Sequence, residues 1–169
     1  MSPSKPERFA LMLRIPSWSH ATAVKVNDVP VTDVSPGTYL KLDRKWKKGD
    51  KIELAMDMSL HYWASERECD GLTSIYRGPI LLTYDRYYND MAPDNIPALD
   101  NRKMAFTPVS AEVRKRQPIV LLEFTGSDGR KLRLCDFGSA GYAGTPYKSW
   151  LKANNVRKTE FSRSNPLRS

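Results

Sequence analysis

Apolar and polar residues alternate strictly at two places in the first third of the chain. Phe9, Leu11, Leu13 and Ile15 fall on one face of an extended backbone, and so do Ile52, Leu54, Met56 and Met58. Each run predicts a half-buried strand, the first ending at Pro16-Ser17 because proline removes a ladder donor and restrains the residue before it. Between them, Val24-Lys25-Val26 and Val29-Pro30-Val31 flank Asn27-Asp28, a pair suited to a two-residue hairpin turn, and Pro30 marks its strand as an edge. Pro36-Gly37 signals another turn before the alternating Tyr39-Leu40-Lys41-Leu42, and Gly49-Asp50 turns the chain into the Ile52 run. In the basic connection Arg44 to Lys48, Lys and Arg reach water while Trp46 plugs the core from the side.

The second half is patterned more loosely. Leu72 to Tyr84 reads as a strand that Gly78-Pro79 interrupts with a bulge or bend. Residues 85–109 hold Pro93, Pro97 and Pro108 among polar residues and predict a long loop. Pro118 to Phe124 and Arg130 to Leu134, joined across Gly126-Ser127-Asp128-Gly129, make the clearest hairpin. Phe137 to Gly144 is glycine-rich but fits no phosphate-cradling fingerprint, and Tyr147 to Leu151 predicts a last short strand. With no amphipathic helical run and no repeat, the expected fold is all-β, an antiparallel β-sandwich built as one merged or two small consecutive sandwiches.

Composition adds bounds. A chain of 169 residues with 40% hydrophobic and 27% charged residues has the balance of a globular protein, and no apolar run reaches the ~18 residues of a membrane-spanning helix. The first residues carry no apolar stretch of the kind found in secretory signals, which leaves the compartment undecided. The net charge is +8, and residues 152–169 supply half of that excess through Lys152, Arg157, Lys158, Arg163 and Arg168 against Glu160 alone. A basic tail of this kind solvates a terminus more readily than it grips phosphates.

Candidate chemistry is sparse. The two cysteines, Cys69 and Cys135, lack metal-binding spacing, and the two histidines, His20 and His61, have no nucleophile partner in a motif. Asp50, Glu53 and Asp57 fall at turn or outward-facing positions, and Glu66, Glu68 and Asp70 in a polar run, so solvated surface is the expectation for all six. No catalytic residue, metal site or cofactor is predicted. What remains is aromatic: Trp18 after the first strand, Tyr62 and Trp63 in the dense Leu60-His61-Tyr62-Trp63 cluster, and Tyr87 and Tyr88 in the long loop. Flat aromatic faces at a rim stack sugar rings, and packing at strand ends is their commoner role.

One resemblance spans most of the chain. Leu13-Arg14-Ile15-Pro16-Ser17-Trp18, then Ala23 to Asn27 with Val29-Pro30-Val31, then Gly37-Thr38-Tyr39-Leu40 and Arg44 to Leu54 resemble, in order and spacing, the region after the catalytic barrel in the β-L-arabinofuranosidases of glycoside hydrolase family 127. Tyr76-Arg77-Gly78-Pro79-Ile80-Leu81-Leu82 is similar to that family's Arg-Gly-Pro strand, and Phe137 to Leu151 matches a later glycine-rich loop more weakly. The resemblance implies an (α/α)6 barrel followed by two β-sandwiches, with catalysis by a cysteine at a zinc site in the barrel. Cys69 and Cys135 do not correspond to those ligands, so no catalytic or metal role is carried over. Strands precede the Arg-Ile-Pro-Ser-Trp segment in the family, so the first sandwich is expected to be incomplete, with an unpaired edge or an uncovered apolar face.

The expected domains are residues 1–66 as a partial first sandwich, 67–151 as a second, and 152–169 as the basic tail. The leading expectation is a non-catalytic accessory region that packs on the barrel and supports oligomer or substrate-entrance contacts. An alternative is a stand-alone carbohydrate-binding module for a plant-type glycan, using Trp18, Tyr62, Trp63, Tyr87 and Tyr88. A basic nucleic-acid binder using Arg44 to Lys51 and Arg114-Lys115-Arg116 ranks below both, because basic and aromatic residues form no known signature here, and no membrane partner is expected.

Overall fold

The alternating runs become strands in a computed structural model that describes residues 3–65, 67–110 and 118–156. The chain is all-β and divides into two compact units, Met1–Ser59 and Leu60–Ser169. Helical structure among the described residues is limited to three-residue 3-10 turns.

In the first unit the strands are β1 (Glu7–Arg14), β2 (Ala23–Val26), β3 (Val29–Pro30), β4 (Tyr39–Trp46) and β5 (Ile52–Ala55). β1 pairs antiparallel with β4, and β3, β2 and β5 form a second sheet in that order. Both sheets feed one core of Ile15, Val24, Val26, Leu40, Leu42 and Trp46, which makes this unit a small sandwich. The β2–β3 connection is the expected hairpin, with Asn27 and Asp28 at φ 50° and 66° as a primed turn requires. Trp46 is fully buried, and its Nε1 donates to the Phe9 carbonyl at 3.1 Å.

The alternation near residue 52 translates only in part. β5 stops at Ala55, and Ile52 alone of its apolar set packs on the core, while Leu54, Met56 and Met58 are exposed. β5 is an edge strand with β2 as its partner, and beyond it the Asp57 amide turns to donate to Ser19 Oγ at 2.7 Å. That bond takes the chain off the sheet before Met58.

The second unit contains β6 (Leu60–Ala64), β7 (Leu72–Arg77), β8 (Ile80–Asp85), β9 (Leu99–Asp100), β10 (Phe106–Pro108), β11 (Leu121–Thr125), β12 (Lys131–Asp136), β13 (Tyr147–Lys148) and β14 (Leu151–Asn154). They form one sheet with the path β10-β11-β12-β8-β7-β14-β9, to which β13 adds on β8 and β6 on β7. Leu99 of β9 and Leu122 and Phe124 of β11 come from opposite ends of this path yet share one core with Ile75, Leu82, Tyr84 and Leu134. The sheet must therefore fold over on itself, which gives the second sandwich.

Three expectations change here. Leu72 to Tyr84 is two strands joined by a two-residue turn at Gly78-Pro79, with Arg77 opposite Ile80 and Gly78 at φ 54°, a first turn position that glycine favours. β6 pairs with β7 through five residue pairs, so the polar stretch after Ala64 is a hairpin connection, and the division between units lies at Ser59/Leu60, ahead of the 66/67 boundary read from the sequence. Lys152 to Asn154, expected in the tail, belong to β14, where Ala153 pairs with Leu99 in the one parallel ladder among the described residues. Glu66, Arg114-Lys115-Arg116 and residues 157–169 lie outside the described residues.

Gly126 ends β11 where the backbone passes against the Pro97 ring: a Cβ there would lie 2.6 Å from Pro97 Cβ. Neither the ring nor the backbone, held by the Ser127 amide on the Ala98 carbonyl at 2.8 Å, yields cheaply. Gly126→Ala is expected to cost about 1–3 kcal/mol, read as a lower urea midpoint at unchanged slope; an unchanged midpoint would show that the Pro97 segment gives way.

Candidate functional site

Several of the acidic groups are engaged structurally. Asp50, expected at the surface, is only 3% exposed. Its carboxylate accepts from Asn27 Nδ2 at 2.8 Å and from the Lys47 amide at 2.9 Å, while Asn27 Oδ1 accepts from the Lys51 amide at 2.8 Å. The Asn27 side chain first, then the Lys47 amide, hold Asp50 below its ordinary range. Glu53 pairs with Lys51 at the surface, and Asp57 accepts from the Ser59 amide at 2.9 Å.

In the second unit two further aspartates are buried. Asp85 closes β8 and accepts from the amides of Tyr87 and Gly141, both at 2.8 Å, and from the Thr145 hydroxyl. Asp136 closes β12 and accepts from the amides of Ile119 and Val120 at 2.7 and 3.2 Å and from Ser139 Oγ at 2.9 Å. Asn89 joins the two strands: its side chain donates to the carbonyls of Asp85 and Arg133 and accepts from the Arg133 amide. Each of these two carboxylates accepts three hydrogen bonds, from two backbone amides and one hydroxyl, and so fixes the loops that supply the donors.

The cysteines are free thiols. Cys135 is fully buried, and burial first, with Asp85 and Asp136 adding to it, pushes its thiol up to about 12, far from a nucleophile's range. His20 is exposed and His61 stacks on Tyr76 with ring centroids 5.3 Å apart. Among the described residues no cluster of His, Cys, Asp or Glu is placed to hold a metal ion, and no helix is long and apolar enough to cross a membrane.

The aromatic candidates are divided between the two units. Trp18 is half-buried in the first unit. Tyr62 and Trp63 are neighbours on β6 and so point to opposite faces, both half-buried. Tyr87 is exposed and sits edge-to-face against Tyr88 at 5.1 Å; Tyr88 is half-buried, and burial pushes its phenol up to about 12. The structure instead exposes Phe137, Tyr142 and Tyr147 around the glycine-rich loop, none of which the sequence singled out.

Comparison with known proteins bears on what this surface belongs to. Residues 1–58 match the family model described as the middle domain of β-L-arabinofuranosidases, GH127, and the match ends one residue before the first unit does. The chain is GH127-like, in part. A solved structure described as a glycoside hydrolase is 26% identical with a TM-score of 0.74, over 90% of this chain and 29% of its own. A GH127 β-L-arabinofuranosidase from Geobacillus stearothermophilus T6 shares the fold at 20% identity and TM-score 0.72, over 90% of this chain and 27% of its own. A third, a GH127 β-arabinofuranosidase, shares it at 21% identity and TM-score 0.63, over 88% of this chain and 28% of its own. No curated protein matches. The GH127-like chain thus spans less than a third of each solved relative while being covered almost throughout by them.

Two outcomes test the site description. Because the folded pKa of Asp50 is lowered, its contribution to stability is full above its ordinary value of 3.8 and is lost as pH falls through the lowered folded value; Asp50→Asn is expected to flatten that part of a urea-midpoint titration, and an unchanged acid limb would exclude it. Native chain treated with an aromatic disulfide reagent is expected to release one thiol's worth of product from Cys69 quickly and the second, from buried Cys135, on unfolding; two fast thiols would contradict the burial of Cys135.

Proposed function

We propose that the chain is the accessory, non-catalytic sandwich region of a GH127-like glycoside hydrolase, packing on a catalytic (α/α)6 barrel and supporting the substrate entrance or contacts between copies. The observation that carries this reading is the set of exposed apolar side chains in the first unit, the unit that matches the GH127 middle domain. Leu54, Met56 and Met58 stand 37–44% exposed in succession, with Met12 and Val29 more exposed still. Side chains of this kind gain about 1.5–3 kcal/mol each when fully covered, and methionine adapts to an irregular partner surface. The engaged carboxylates and the buried Cys135 support the non-catalytic half of the reading.

Produced beside a separately expressed GH127 barrel, the chain is expected to co-purify with it, and Met56→Lys with Met58→Lys to weaken that association about tenfold or more. The chain alone is expected to release no arabinose from β-L-arabinofuranosides. Hydrolysis by the purified chain, or full association by the double variant, would overturn the reading.

A further inference from the structure

The loop between β12 and β13 is tied down by hydrogen bonds at its start, middle and end. Asp136 anchors its start through Ser139, and Asp85 anchors its middle and end through the Gly141 amide and Thr145, while the Arg86 amide donates to the Pro146 carbonyl at 3.0 Å. Two carboxylates, 3% and 1% exposed, are desolvated to hold this stretch. What the braced loop presents is aromatic. Phe137 and Tyr147 meet at a ring-centroid distance of 6.1 Å and an interplanar angle of 80°, forming a right-angled corner whose members are 47% and 51% exposed. Gly141 lies so close beneath Tyr147 that a Cβ would come within 2.8 Å of its ring carbons, which backs the ring from one side. Tyr142, 59% exposed, follows on the same loop.

We propose that the Phe137–Tyr147 corner is a stacking subsite for a neutral sugar ring. A sugar ring offers a face of C–H bonds that covers one aromatic face while its edge meets the other, which a right-angled pair accommodates and a flat patch does not. The Tyr147 phenol supplies a hydrogen-bonding group at the rim for the sugar's hydroxyls. Prepositioned rings lose little freedom on binding, and this is the physical use of bracing the loop. The inference rests on the reading that the chain serves a glycoside hydrolase, and it names a surface in the second unit that this reading leaves without a task.

The test uses the full chain without any barrel, so that its failure is separate from failure of barrel association. Linear arabino-oligosaccharides are titrated in by calorimetry, and amide shifts of residues 137–148 are followed by NMR. Saturable binding with the largest shifts in that stretch is expected, weakened about tenfold or more in Tyr147→Leu and in Phe137→Leu, which keep apolar volume and remove a flat face. Near-UV circular dichroism and the urea midpoint report whether each variant is folded, and Tyr87→Ala, outside the corner, is expected to bind like the parent chain. Absence of saturable binding, shifts centred elsewhere, or full binding by both leucine variants would overturn the proposal.

Discussion

A carboxylate removed from water must be met by donors, and the second unit is arranged around meeting that need for Asp85. It sits at the end of β8, between β12 and β7 in the sheet, where solvent is excluded. Its oxygens gather the Tyr87 amide, the Gly141 amide and the Thr145 hydroxyl, groups from segments more than fifty residues apart in the chain. Leaving any of them unpaired would cost about 1–3 kcal/mol. The long excursion after β8 and the glycine-rich loop after β12 are therefore held to the same point, and Asn89 ties β8 to β12 beside it. Asp136 does the same for the residues entering β11.

The first unit uses this device on a smaller scale. Asp50 joins the turn before β5 to Asn27, the first residue of the β2–β3 turn, so two connections at one end of the small sandwich are locked by one side chain and its partner. That economy matters because the core there has only six buried residues, among them Trp46, which fills the volume that a larger sheet would supply. A core of this size leaves apolar residues of β1 and of residues 54–58 at the surface.

The two units thus divide the functional possibilities. The first exposes the aliphatic and thioether side chains of Met12, Val29, Leu54, Met56 and Met58 together with Phe9 and Tyr39. The second exposes aromatic rings on a loop fixed by buried charges, suited to a small ligand with a defined face. The carboxylates of Asp85 and Asp136 are taken up in fixing loops, and the Cys135 thiol is buried.

Sequence pattern alone determined the local elements wherever one face of a strand had to be buried and a turn residue was unambiguous: the first strand's alternation, which turns Leu11, Leu13 and Ile15 inward and leaves Phe9 exposed, the Asn27-Asp28 turn, the hairpin across Gly126-Ser127-Asp128-Gly129, and the all-β class. It also carried the family likeness in the order of its short motifs, because spacing between turns is preserved in one dimension. Pairing between distant strands was left to the tertiary structure. The polar run after Ala64 turned out to join β6 to β7, and Lys152 to Asn154 joined the sheet through Leu99, because a ladder is specified by whichever backbone edge comes within reach. The candidate surface was hidden for the same reason. An aspartate or a tyrosine carries no mark of its burial in the chain, and only the folded sheet sealed Asp85 and Asp136 from water and left Phe137 and Tyr147 facing it.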